Sequence, residues 1–149
     1  MRTRPSARLL VIGPDDRVLL FRFMLANSKL AVKDYWATPG GSLEGNETHA
    51  EAARRELFEE TGFVSGISDA PVAEREFVLQ MSDGENVLAV ERFFLTRVDK
   101  PVLSNAGWTE VEKQIMVEHR WWSVAELRAT SEAVFPENLV AMLATVGVH

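Results

Sequence analysis

The chain has 149 residues, 46% of them hydrophobic and 26% charged. That globular balance argues against disorder, collagen and a coiled coil. There is no cysteine, which excludes disulfides, thiolate zinc sites and a cysteine nucleophile and fits a reducing compartment.

The net charge is −6, from 22 acidic and 16 basic residues. This disfavours a sequence-independent grip on a nucleic-acid duplex, which needs a dense basic face. An acidic protein can still handle phosphates if a metal ion supplies positive charge. No run approaches the roughly 18 apolar residues of a membrane span, and Leu9–Ile12 behind the basic start is too short for a signal peptide. The expectation is a soluble cytoplasmic protein, one domain over residues 1–149, monomeric or homodimeric, with no membrane partner.

Ala7–Ile12 and Val18–Met24 are apolar, β-branched runs around Gly13-Pro-Asp-Asp16, which predicts a hairpin. Trp36–Thr38 is a short extended piece that Pro39-Gly40-Gly41 stops. Thr48–Thr61 reads as a helix: Thr48 and Glu51 have capping-box spacing, and Gly62 is placed to end it. Val72–Met81 and Val87–Val98 read as two strands joined by Ser82–Asn86. Val117–Trp122 is a further strand. Ser123 and Glu126 open a short helix to about Arg128, and Pro136 is placed to begin a last one ending before Gly147. Hairpin strands with separated helices indicate an α+β fold, helices packed on a central mixed sheet.

Chemistry concentrates in residues 41–63. On a helix at ~100° per residue, Glu56, Glu59 and Glu60 share an arc of roughly 100°. Ala50, Ala53 and Leu57 form a narrow apolar stripe beside them. Like charges three and four residues apart repel, and a hard divalent cation reverses that sign, since magnesium prefers carboxylate and phosphate oxygens. The glycine turn can bring a backbone carbonyl toward the same ion. Arg55 could orient a carboxylate by a charge-assisted hydrogen bond. On composition alone the three glutamates are a solvated acidic face. The glycine turn, Glu47, Arg55 and Gly62 at fixed offsets point the other way.

This stretch resembles the Nudix (MutT-like) box, Gly-x5-Glu-x7-Arg-Glu-U-x-Glu-Glu-x-Gly-U with U bulky and apolar. Gly41, Glu47, Arg55, Glu56, Leu57, Glu59, Glu60, Gly62 and Phe63 occupy its specified positions. Trp36–Gly41 and Glu118–Trp122 resemble the family more loosely. The resemblance implies an α/β/α sandwich and a bound magnesium or manganese. It implies Glu56, Glu59, Glu60 and the Gly40–Gly41 carbonyl as ligands, Glu47 as a supporting acid, and Arg55 as the residue that steers a catalytic carboxylate. It also implies hydrolysis of a small nucleotide substrate, a nucleoside diphosphate linked to a moiety X, such as a nucleoside triphosphate or nucleotide sugar. Glu59 or Glu60 is the base. A non-catalytic nucleotide- and metal-binding sensor is the alternative. An acidic residue from a distal loop often joins such a site. Glu110 and Glu112 are the candidates, with Glu112 favoured, although Thr109 and Glu112 also have capping-box spacing.

The three histidines, His49, His119 and His149, lack the partners of a transition-metal site and read as surface or structural. No Gly-x-Ser-x-Gly supports a serine nucleophile. The tryptophans read as core, with Trp108 the best candidate to stack on a base. Arg22 and Arg120 read as strand-surface charges. The family's subfamily markers do not fix X: Pro71 is too close to the box for the ADP-ribose type, Tyr35 lies upstream of it, and the NADH-type motif is absent.

Overall fold

A computed structural model describes residues 1–25 and 33–149. The first hairpin forms as expected from strands β1 (Arg2–Ile12) and β2 (Val18–Met24). Its turn closes with Gly13 N–H donating to Arg17 O at 2.9 Å. β1 begins five residues earlier than its apolar run, at Arg2. The extra length is explained by its partner β6 (Asn86–Arg97), which pairs with it in parallel from Arg2 opposite Val87 to Ile12 opposite Arg97. β5 (Ala73–Gln80) pairs antiparallel on the far side of β6.

On its other edge β1 meets β2 only at Ile12, and nearer its start meets β4 (Gly40–Ser42), with Ala7 opposite Gly41. β2 pairs with β3 (Asp34–Ala37) and β7 (Met116–Trp122). β8 (Val134–Phe135) adds to β3 in parallel. β4 and β8 were not legible in the sequence. The glycines that read as a turn also pair as a strand, because Gly40 adopts φ +142° and leaves room for Ala7 O, which a Cβ would approach to 2.2 Å.

Among the described residues, four helices cover the sheet: α1 (His49–Thr61), α2 (Glu110–Ile115), α3 (Val124–Ala129) and α4 (Leu139–Thr145). Pro136 does not open the last one. Phe135 is still extended against Ala37, and the helix starts only at Leu139, whose N–H reaches Pro136 O. Two apolar clusters hold the layers. Ala7, Leu9, Val11, Phe21 and Phe94 pack under Ala52, Ala53 and Leu57 of α1. Leu10, Ile12, Trp36, Phe93 and Trp122 pack under Leu127 of α3 and Leu139, Met142 and Leu143 of α4. Alternation along β1 sends successive side chains to opposite clusters. Helices on both faces of a mixed sheet make the expected α/β/α arrangement. Among the described residues, no helix is long and apolar enough to cross a membrane.

Candidate active site

α1 carries the box glutamates, and its ends are fixed. Thr48 Oγ1 accepts the Glu51 N–H at 3.1 Å while Glu51 Oε1 accepts the Thr48 N–H at 3.0 Å, a closed capping box. Gly62 ends the helix in the left-handed region and donates to Phe58 O at 2.9 Å. The buried stripe is Ala52, Ala53, Glu56, Leu57, Glu60 and Thr61. The apolar stripe read from the wheel thus includes Ala52, and Ala50 is only partly buried. Two of the three glutamates turn inward. Glu56 is 8% exposed and Glu60 3%, so neither belongs to a solvated face. Glu59 remains half-exposed.

Arg55 ties the loop before α1 to the helix. Nε and Nη2 donate to the two Glu47 oxygens at 2.7 and 3.0 Å, and Nη2 also reaches Ser42 O at 3.1 Å. Nη1 donates to Glu56 at 3.1 Å and Glu59 at 3.2 Å. The guanidinium holds the Glu47 carboxyl below the usual carboxylate range. Steering of a carboxylate was legible from the box, but the bond to Ser42 O was not, since it depends on the β4 pairing.

β4 brings the glycine turn onto the same helix face. Gly40 N–H donates to Glu60 Oε1 at 2.7 Å. A Cβ on Gly41 would lie 2.6 Å from Glu56 Oε1, so only glycine leaves that carboxylate its place. Burial raises the proton affinity of Glu56, opposed by Arg55 and reinforced by Glu59 and Glu112. Burial raises that of Glu60 much further, and the charge of Glu56 adds to it, against the Gly40 N–H and Arg8. Two inward carboxylates that resist ionising are a strained electrostatic arrangement that added positive charge relieves.

Among the described residues, no three acidic or imidazole side chains converge into a ready metal cage. The reason is local: Arg55 Nη1 lies between Glu56 and Glu59, and Glu60 is drawn to Gly40. The donor set itself is all oxygen, which suits magnesium or manganese. Buried Glu56 and Glu60 and the carbonyls beside them fit such an ion.

The loop before α2 is pinned to the last turn of α1. Ser104 N–H donates to Thr61 O at 2.9 Å, and Trp108 Nε1 donates to Glu60 O at 2.7 Å. Gly107 packs so closely that a Cβ would come within 2.7 Å of Glu59 O. These groups satisfy carbonyls that a helix end leaves open. Trp108 also meets Phe21 edge-on at 5.8 Å. Its indole N–H is thus taken up by the helix end, a role that left no sequence signal.

Glu112 Oε1 accepts the Thr109 N–H at 2.9 Å and Thr109 Oγ1 accepts the Glu112 N–H at 3.1 Å, so Glu112 does cap α2. Its charge is nonetheless felt at Glu56 and Glu60. Glu110 is exposed beside Lys113.

Outside the site, Trp36 and Trp122 are core, as read from the sequence. Arg22 pairs with Asp34 and Glu118, and Arg120 with Glu126.

The NUDIX domain model matches residues 2–143. The chain belongs to the Nudix family. Curated relatives align over short segments: an RNA pyrophosphohydrolase of Halorhodospira halophila is 42% identical over 59 residues, 40% of this chain and 29% of that protein. Phosphatase NudJ of Escherichia coli K12 is 46% identical over 41 residues, 28% of this chain and 27% of that protein. The chain therefore spans less than a third of the length of these relatives. Among solved structures, a MutT protein from Methanosarcina mazei Go1 superposes with a TM-score of 0.68 at 22% identity, covering 96% of this chain and 91% of that one. The NUDIX domain of Shewanella oneidensis NrtR, in complex with ADP ribose, gives 0.68 at 15% identity, covering 97% of this Nudix chain and 88% of that one. At these identities the structures bear on the Nudix fold alone.

Proposed function

We propose that this Nudix chain is a pyrophosphohydrolase that cleaves the phosphoanhydride of a small nucleotide, a nucleoside diphosphate linked to a moiety X. The observation that carries this reading is the pairing of Glu56 and Glu60, both buried on one face of α1, with Glu60 held by the Gly40 N–H. Burying two adjacent carboxylates lowers stability unless something cationic meets them. A Nudix box with those carboxylates intact supplies the reason to keep them.

Glu56, Glu59, Glu60 and the Gly40–Gly41 carbonyls would hold magnesium or manganese. When bound, the ion supplies positive charge against the diphosphate oxygens and acidifies water. Arg55 fixes the rotamers of Glu56 and Glu59 through one nitrogen, Nη1, and is itself fixed by its fork on Glu47. In this reading either Glu59, at the solvent edge, or Glu60, seated on Gly40, accepts the proton from water. Glu112 adds negative charge that reaches Glu56 and Glu60, as a loop acid would.

Phosphate release from a panel of nucleoside triphosphates, nucleotide sugars and ADP-ribose, with and without magnesium, tests this. Metal-dependent turnover supports the hydrolase. Nucleotide binding without turnover of any panel member supports a sensor instead.

A further inference from the structure

Two arginines, Arg8 and Arg75, hold one buried carboxylate, Glu91, on the sheet face opposite α1, and Arg4 shares that face. Arg8 Nε donates to Glu91 Oε2 at 3.0 Å, and Arg75 Nη1 lies 3.5 Å from Glu91 Oε1. Glu91 is 7% exposed. Arg4 pairs in register with Ala89, Ser6 with Glu91, and Arg75 with Glu91 across β5. By strand alternation Arg4 and Arg8 share the face of Leu10 and Ile12. The Arg75 guanidinium rests 4.8 Å from the centre of the Phe77 ring, which fixes its fork.

Neutralisation there is incomplete. Arg4 is partly buried, and among the described residues only Glu91 offsets it, while Arg8 and Arg2 repel it. Burial, and after it Arg8, hold the Arg4 guanidinium below its ordinary value. Residues 26–32 contain no acid. Glu74 and Glu76 occupy the alternate positions of β5, and Glu74 is paired with Arg92. Arg2 is paired with Glu85. In a chain of net charge −6, a surplus of half-buried guanidinium on one face is a cost that packing alone does not require.

The cluster adjoins the box through a single residue. Arg8 Nη1 donates to Thr38 O at 3.4 Å, and its Cδ lies where a Gly40 side chain would stand, 2.8 Å from that Cβ. The Gly40 N–H in turn holds Glu60. Arg8 is thus the member of the cluster that reaches the glycine turn of the box.

We propose that Arg4, Arg8 and Arg75 bind an anionic group of the moiety X, so that the preferred substrate carries a phosphate or carboxylate beyond its scissile bond. This rests on the diphosphate hydrolysis assigned above to the box. Phosphate and carboxylate both match the guanidinium fork. A nucleoside triphosphate offers the first and a nucleoside diphosphate hexuronate the second. A nucleoside diphosphate hexose offers neither.

Two measurements on the full chain test this. Titration calorimetry with inorganic tripolyphosphate, at low salt and without divalent metal, reads the arginines alone, because the bare box carboxylates repel the probe. Wild type binds it, Arg4→Gln binds about tenfold more weakly, as loss of one charged hydrogen bond implies, and Arg4→Lys, which keeps the charge without the fork, recovers only part of the affinity. In turnover, Arg4→Gln and Arg75→Gln lower the kcat/KM ratio of triphosphate to hexose by about tenfold, through KM. A matching fall for the hexuronate assigns the site to oxyanions generally, and a fall for the triphosphate alone assigns it to phosphate. The proposal is overturned if wild type does not bind tripolyphosphate. It is also overturned if folded Arg4→Gln and Arg75→Gln, checked by melting, leave both affinity and ratio unchanged. Tripolyphosphate binding that needs the arginines, in a chain that hydrolyses nothing, keeps the anion site and removes the hydrolase reading.

Discussion

Arg55 grips both oxygens of Glu47, at 2.7 and 3.0 Å, from eight residues further along the chain. That fork fixes the loop before α1 against the helix and leaves Nη1 to align Glu56 and Glu59. A lysine keeps the charge but not the two-pronged geometry. Arg55→Lys is therefore expected to lower kcat by about ten- to a hundredfold, the scale of a small misplacement of reacting groups, while the protein still folds. Steady-state kinetics and circular dichroism check this.

The raised proton affinities of Glu56 and Glu60 set a direction for metal-free stability with pH. The folded state holds these protons more tightly than the unfolded state does, so stability rises as pH falls from the raised values toward about 4.5, the ordinary carboxylate value. Glu47, lowered by Arg55, and Glu126, at about 2, act oppositely, and their contribution is lost only below the ordinary range. Melting in a chelating buffer should thus show Tm climbing as pH falls through the raised values toward the ordinary carboxylate range, and falling in stronger acid. Magnesium should lift Tm most at the alkaline end, where the ligands are ionised.

Trp108 donates its indole N–H to Glu60 O at 2.7 Å. Trp108→Phe keeps an aromatic ring against Phe21 and removes that donor. A loss of about 1 kcal/mol follows for a hydrogen bond of this kind. Because the carbonyl belongs to a box glutamate, kcat should fall as well. Urea unfolding and turnover of the same preparation separate the two effects.

Glu112 is both a cap and a negative charge near the box. Thr109→Ala removes the cap alone and should cost about 1 kcal/mol with little change in turnover. Glu112→Gln keeps an oxygen that accepts the Thr109 N–H, so it should cost less stability than Thr109→Ala and still lower kcat. Equal kinetics in the two variants would leave Glu112 as a cap only.

Much of this was legible in the chain. Thr48 with Glu51, Ser123 with Glu126 and Gly62 marked helix ends through local chemistry, and each cap forms as its spacing implied. The box named Glu47, Arg55, Glu56, Glu59 and Glu60. What escaped was non-local. The inward turn of Glu56 and Glu60 depends on β4 lying on β1, and periodicity cannot show a three-residue strand of two glycines and a serine. Pro136 suited a helix start by local rules, but the parallel pairing of Phe135 with Ala37 kept the chain extended there. Trp108 was legible as an aromatic in a loop, though not as a donor to a helix end.

In the proposed reaction the carboxylates of α1 activate the water that cleaves the phosphoanhydride. Phosphate release with magnesium from the best panel substrate, compared among wild type, Glu59→Gln and Glu60→Gln, tests it most directly. The amide keeps the shape of the side chain and removes its charge. The expected result is metal-dependent turnover in wild type, a loss of about a hundredfold or more in at least one variant, and melting of the metal-free variants no lower than wild type. Near-wild-type turnover in both folded variants would show that these carboxylates do not take part in the reaction.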